Sequence, residues 1–192
     1  MPADRADLDR RIALATRADT VRGVIFNATA GLVRRRQGEE AARRCDPAGG
    51  RRHDFASYPV EDYLRLAWAA ADALEQPLGS VEAVFFAIGE AAVEDLAGTL
   101  FGRTVLSLAA GSPRQVLEQI PGGYKATVGY GERKVTWLSP RSARMSYARD
   151  FLVPAFHRGI VTAAMHTTGV RDVSTATRVT GSLDLEVEVG WS

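Results

Sequence analysis

Two of the chain's three histidines, His157 and His166, lie in the stretch FHRGIVTAAMHTTGV at 156–170. Imidazoles that share a metal or a haem iron must point at one centre. Nine residues along a helix turn a side chain through ~900°, which leaves these two rings on opposite faces. A single helix cannot aim both at one ion, and zinc sites take three or four ligands from close spacings. His166, set among Ala163, Ala164 and Val170, is expected to be packed and hydrogen-bonded. His157 can pair with Asp150 as a base and its orienting group, which is half a mechanism without a nucleophile.

Other reactive residue types lead no further. Asp184, Glu186 and Glu188 share one face of a strand at period two and are expected to be a solvated face balanced by Arg178 or Arg149. A divalent cation there would need ligands from elsewhere. Cys45 follows Arg43 and Arg44, which could lower its thiol pKa, yet it reads as a passive helix-end residue. The chain contains no G-x-G-x-x-G, no Walker loop with its lysine and no G-x-S-x-G elbow. No catalytic set and no metal site is therefore expected.

The elements that must position these groups follow from length and patterning. A chain of 192 residues with 46% hydrophobic residues is long enough for one core and short for two, so residues 1–192 are expected to form a single domain. Its 24 basic and 23 acidic side chains nearly cancel, and no global field draws it to nucleic acid. The local cluster Arg34, Arg35, Arg36, Arg43, Arg44, Arg51 and Arg52 lacks interleaved aromatics on which bases could stack. A single cysteine and no charged-then-apolar leader point to the cytoplasm. No apolar run approaches ~18 residues free of charge, so membrane insertion is not expected.

Residues 1–18 read as a weakly patterned lead-in and 19–122 as a helical half. A first helix runs from Val21 to a stop at Gly38, with EEAARRC as a short following helix. Turn chemistry at DPAGGRRHD puts His53 in an exposed loop. YPVEDYLRLAWAAADALEQ is an amphipathic helix with Pro59 at its first position. Another helix opens at Ser80 and extends towards Leu106, breaking near Gly98 and Gly102. Ser112, Pro113 and Gln115 cap a helix that PGG at 121–123 is expected to close. Residues 123–192 then alternate at KVTWL, ARMSYA and SLDLEVEVGW, with RDVSTATRVTG rich in β-branched residues. A helix lies between the second and third strands. The fold class is α+β, a helical half packed on a four-stranded antiparallel ββαββ sheet with a crossing helix.

VRGVIFN, YPVEDYLRL, AVEDLAGTLFGR, GYGERKVTWLSPRSARMSYARDF and the 156–170 helix together resemble a large family of myxobacterial paralogues of unknown function. At a greater distance the layout resembles the haem nitric-oxide/oxygen binding fold, the 4-vinyl-reductase-type ligand domains and the TRAPP vesicle-tethering subunits. Those relatives imply helices against a four-stranded antiparallel sheet, often with an apolar cavity between the halves. The haem proteins among them carry a ligating histidine on the helix before the first strand and a Tyr-x-Ser-x-Arg pattern for the propionates. Here PRQVLEQI has no histidine, and in the nearest match to the second pattern, Tyr147, Ala148, Arg149, Asp150 and Phe151, the serine and the arginine are replaced. The vinyl-reductase-type cysteines are missing from the last hairpin. Neither haem nor any other cofactor is expected.

What remains is a non-enzymatic sensory or regulatory domain that binds an apolar small molecule between helical half and sheet. The alternative is a protein-interaction or dimerisation module whose core is filled by its own side chains. Pockets are mostly apolar with a few placed polar groups. The candidate lining is therefore Phe26, Asn27, Tyr63, Trp68, Phe85, Phe86, Tyr147, Arg149 and Phe156. The open partners are that small molecule, a second copy of the chain and a signalling protein.

Overall fold

The structure is a computed structural model that describes residues 5–100, 102–104 and 111–192. Helix α1 (Arg5–Leu14) leads into a short strand β1 (Thr20–Arg22), then α2 (Gly23–Cys45), β2 (Ser57–Pro59), α3 (Val60–Leu78) and α4 (Val81–Gly98). Helix α5 (Pro113–Thr127) precedes β3 (Glu132–Ser139) and β4 (Ser142–Ala148), and α6 (Pro154–His166) precedes β5 (Val173–Val179) and β6 (Leu185–Trp191). The four long strands form one antiparallel sheet in the order β3-β4-β6-β5. This is the α+β arrangement expected from the alternation.

Several boundaries differ from the expectation, each for a physical reason. The lead-in contains α1, whose inward face sets an ion pair beside buried Leu8. Buried Arg11 donates Nε to Asp7 at 2.9 Å and a guanidinium N–H to the Leu152 carbonyl at 3.3 Å. Val21 and Pro59, expected in helices, belong to a two-stranded ribbon in which Val21 faces Tyr58 and Thr20 faces Pro59. PGG does not close α5, which continues through Pro121 to Thr127 because Leu117, Ile120 and Tyr124 bury one continuous face. At Gly38 the expected stop is a kink, since its φ of 84° interrupts a helix that resumes to Cys45. Ser80 caps α4 by accepting from the Ala83 N–H at 3.1 Å, and α4 ends at Gly98. The expected extension to Leu106, and Phe101 within it, lie outside the described residues.

Apolar side chains gather in two clusters. One joins α1 to α4 with Phe151, Leu152 and Phe156, and the other joins α5, the sheet and α6. Val128 and Ile160 touch both. On the closing strand Leu185, Val187 and Val189 are buried, whereas Glu186 bridges Arg178 at 2.7 Å and Arg144 at 3.6 Å. Val187→Asp therefore unfolds or aggregates the protein, because an unpaired charge would be buried. Glu186→Lys places like charges together on the outer face and costs about 1 kcal/mol. Thermal melts of both variants check this, and equal melting of the two would refute the strand phase.

Candidate functional site

Helix α6 starts at Pro154, whose fixed φ suits a first helical position. Its period carries His157 and Val161 towards the sheet and Phe156 and Gly159 towards α4. His157 is fully buried, and it meets Tyr124 of α5, Tyr147 of β4 and Asp150 of the β4–α6 connection. The Tyr124 hydroxyl meets His157 Nδ1 at 2.6 Å, and the other ring nitrogen, Nε2, is turned to Asp150 Oδ1. That second contact is 3.3 Å long and out of line for a full hydrogen bond. Asp150 also accepts the Leu152 N–H at 2.9 Å and pairs closely with Arg133 of β3.

Electrostatics follow from this packing. Burial pushes the Asp150 carboxyl up, but its neighbours His157, Arg133 and the Leu152 N–H outweigh that and hold the carboxyl well below its ordinary range. Burial likewise opposes the charge on Arg133, and Asp150, Tyr130 and Tyr124 offset it. Tyr124, Tyr130 and Tyr147 are all pushed up, chiefly by burial, so their phenols stay protonated. Asp150 and His157, which the spacing allowed to pair, thus lie side by side, and the neighbour of the other ring nitrogen is a protonated phenol. Beyond it, the hydroxyl of Tyr130 and Nε of Arg133 are buried without a hydrogen-bond partner.

A separate apolar cavity of about 100 Å³ adjoins this cluster. Ile25 of α2 and Leu96 of α4 wall it on one side, and Ile120 of α5, Leu152, and Phe156 and Ile160 of α6 on the other. Among the described residues no strand residue reaches it, and the described lining belongs to the helices and their connections rather than to the sheet. Tyr124 and Thr127 line it with their hydroxyls engaged elsewhere, the first on His157 and the second on the Gly123 carbonyl at 2.9 Å. Gln119 lines it too and is solvent-exposed.

Phe156 lines that cavity, and the other residues expected to line a pocket are dispersed. Phe26 packs edge-on against Tyr58 and Tyr63, and Tyr63 meets Thr29 Oγ1 at 3.0 Å. Trp68 packs edge-on against Phe85 at 4.8 Å, and Phe86 lies under Arg158. Asn27 pins the 52–54 loop by donating to the Arg52 carbonyl and Asp54, each at 2.8 Å, and by accepting the Arg52 N–H. Tyr147 belongs to the buried polar cluster, its ring 4.2 Å from that of His157. Arg149, with a positive φ of 52°, pairs with Asp19, which its hydrogen bond holds down to about 2.

The remaining expectations resolve locally. His166 is exposed rather than packed, because it ends α6 on the face away from the sheet. Cys45 is buried with Sγ 3.4 Å from the Ala69 carbonyl, and burial pushes its thiol up, against the expected effect of Arg44. Glu188 pairs with Arg144, and Asp184 accepts the Arg149 N–H, as a solvated face would. Six of the clustered arginines are spoken for, including Arg34 on Glu39, Arg44 on Glu40 and Arg52 on Asp46. Tyr124 and Arg133 were not legible as partners, since nothing in their spacing ties them to Asp150.

A family profile described as "Protein of unknown function (DUF2378)" matches residues 14–192. The chain belongs to that family. No curated protein matches the DUF2378 chain significantly. Among solved structures it is similar to an Fe(II) unliganded H-NOX variant from K. algicida, with a TM-score of 0.71 and 14% identity over 89% of this chain and 96% of that one. An H-NOX protein from S. oneidensis in the Fe(II)NO ligation state gives a TM-score of 0.66 at 13% identity, covering 89% of this chain and 99% of that one. An oxygen-binding H-NOX domain related to soluble guanylate cyclases gives 0.65 at 8%, covering 89% and 95%. At such identities the likeness is one of fold. Among the described residues no helix is long and apolar enough to cross a membrane.

Proposed function

We propose that this DUF2378 chain is a non-enzymatic, cytoplasmic sensory or regulatory domain that binds an apolar small molecule, without haem, in the cavity among helices α2, α4, α5 and α6. The carrying observation is a cavity walled by aliphatic and aromatic side chains whose neighbouring hydroxyls are turned away. Of the neighbours of the same fold, one is in an Fe(II)NO ligation state and another is an oxygen complex. The residues here do not fit a haem, because among the described residues the lining offers neither imidazole nor thiolate, and the phenol of Tyr124 is protonated and engaged with His157. A volume of about 100 Å³ is also far below that of a porphyrin site. The non-enzymatic reading rests on the sealed Asp150–His157–Tyr124 cluster, which presents no ionised nucleophile to a substrate.

Two measurements test this reading. Haemin added to the purified protein gives no stoichiometric Soret band, and a band lost on mutating His157 or His166 would contradict the haem-free part. Native mass spectrometry reports about one retained apolar molecule per chain, or one bound 1-octanol per chain after addition. Absence of any saturable binding would return the chain to the interaction-module reading, with dimer or monomer read from the same spectrum.

A further inference from the structure

The dimensions and lining of the cavity name the class of its ligand more narrowly, an inference that rests on the proposed ligand-binding role. We infer that the cavity accepts one uncharged hydrocarbon group of about the size of benzene, free or as the end of a longer chain, and admits no hydrogen-bonding group. Apolar cavities of about 150 Å³ stay dry and take benzene or xenon, and this one measures about 100 Å³. Its width is fixed between rigid elements, since the Gly89 and Gly159 backbones bring α4 and α6 into direct contact beside Phe156 and Ile160.

The chemistry of the interior is equally restrictive. Thr127 Oγ1 donates to Gly123, and the Tyr124 hydroxyl points out of the cavity to His157 Nδ1. A polar atom entering the cavity would leave its hydration without a replacement partner, which disfavours it about tenfold or more. Gln119, exposed at the lining, is where the polar end of a chain would meet solvent. The same hydrocarbon chemistry could come from a free ring or from a chain terminus, and the two are separable by probe.

The test is a titration of the full chain, followed by methyl NMR of Ile25, Ile120 and Ile160, with benzene, phenol, naphthalene and 1-octanol. Benzene or 1-octanol saturates at one per chain, the tighter of the two identifying the source, and phenol binds at least about tenfold more weakly than benzene. Ala164→Phe, which fills the cavity, abolishes the response while retaining a cooperative melt. Ala92→Leu serves as the second filled variant should the first fail to fold. Phenol binding as tightly as benzene would overturn the dry interior, and naphthalene binding as tightly would overturn the size limit. Either result leaves the proposed function standing. No response to any of the four probes would remove both.

Discussion

Gly159→Ala lowers the unfolding free energy by about 3 kcal/mol or prevents folding, a large effect for one added methyl group. A Cβ at Gly159 would stand 2.0 Å from the Phe86 carbonyl oxygen and 3.1 Å from the Glu90 nitrogen. One at Gly89 would stand 2.1 Å from the Phe156 oxygen and 2.9 Å from the Ile160 nitrogen. These obstacles are backbone atoms that no rotamer change removes, so α4 and α6 would have to part and open the interior between the two clusters. Gly122→Ala is the contrasting case. A Cβ there has nothing within 4 Å, and alanine inside α5 stabilises by about 0.5–1 kcal/mol. Denaturant melts of the two variants should shift in opposite directions, and a Gly159→Ala protein as stable as the parent would refute the crossing.

Asp150→Asn is expected to cost about 3–5 kcal/mol, because it leaves Arg133 buried beside a neutral partner and weakens the hold on His157. Arg133→Met in the same protein should add less than its cost alone, since the pair acts as a unit. The parent's pH dependence has a defined sign. The carboxyls of Asp150 and Asp19 both lie below their ordinary value of 3.8 in the folded state, Asp19 at about 2 and Asp150 lower. A depressed carboxylate contributes stability that is complete above its unfolded pKa and is lost as pH falls through the folded one. Stability therefore drops between about pH 4 and pH 2, and the drop is shallower in Asp150→Asn. Equal acid titration of parent and variant melts would show that Asp150 is not the buried charge described.

The patterned elements were legible in the sequence, and the contacts that join them were not. Alternation at 182–191 and the stripe at 58–76 give a strand and a helix directly, because solvent on one face forces the period. Helix α1 escapes that reading because Asp7 and Arg11 satisfy each other inside. The end of α5 escapes it because packing of Leu117 and Tyr124 overrides the breaking tendency of PGG. At the site, Asp150 and His157 could be paired from spacing, whereas Tyr124 and Arg133 join them only through the tertiary fold. The expected pocket drew on conspicuous aromatics, but the cavity is walled mainly by aliphatic residues such as Ile25, Leu96 and Ile120, which look like any core in sequence.

On this reading an apolar void lies among α2, α4, α5 and α6, beside the direct crossing of α4 and α6. A crystal of the protein pressurised with xenon tests it most directly, because xenon reports an apolar cavity without requiring the natural ligand. Xenon is expected at a strong site bounded by Ile25, Ile120, Phe156 and Ile160. Side chains closed over that position, with no xenon density between them, would contradict it.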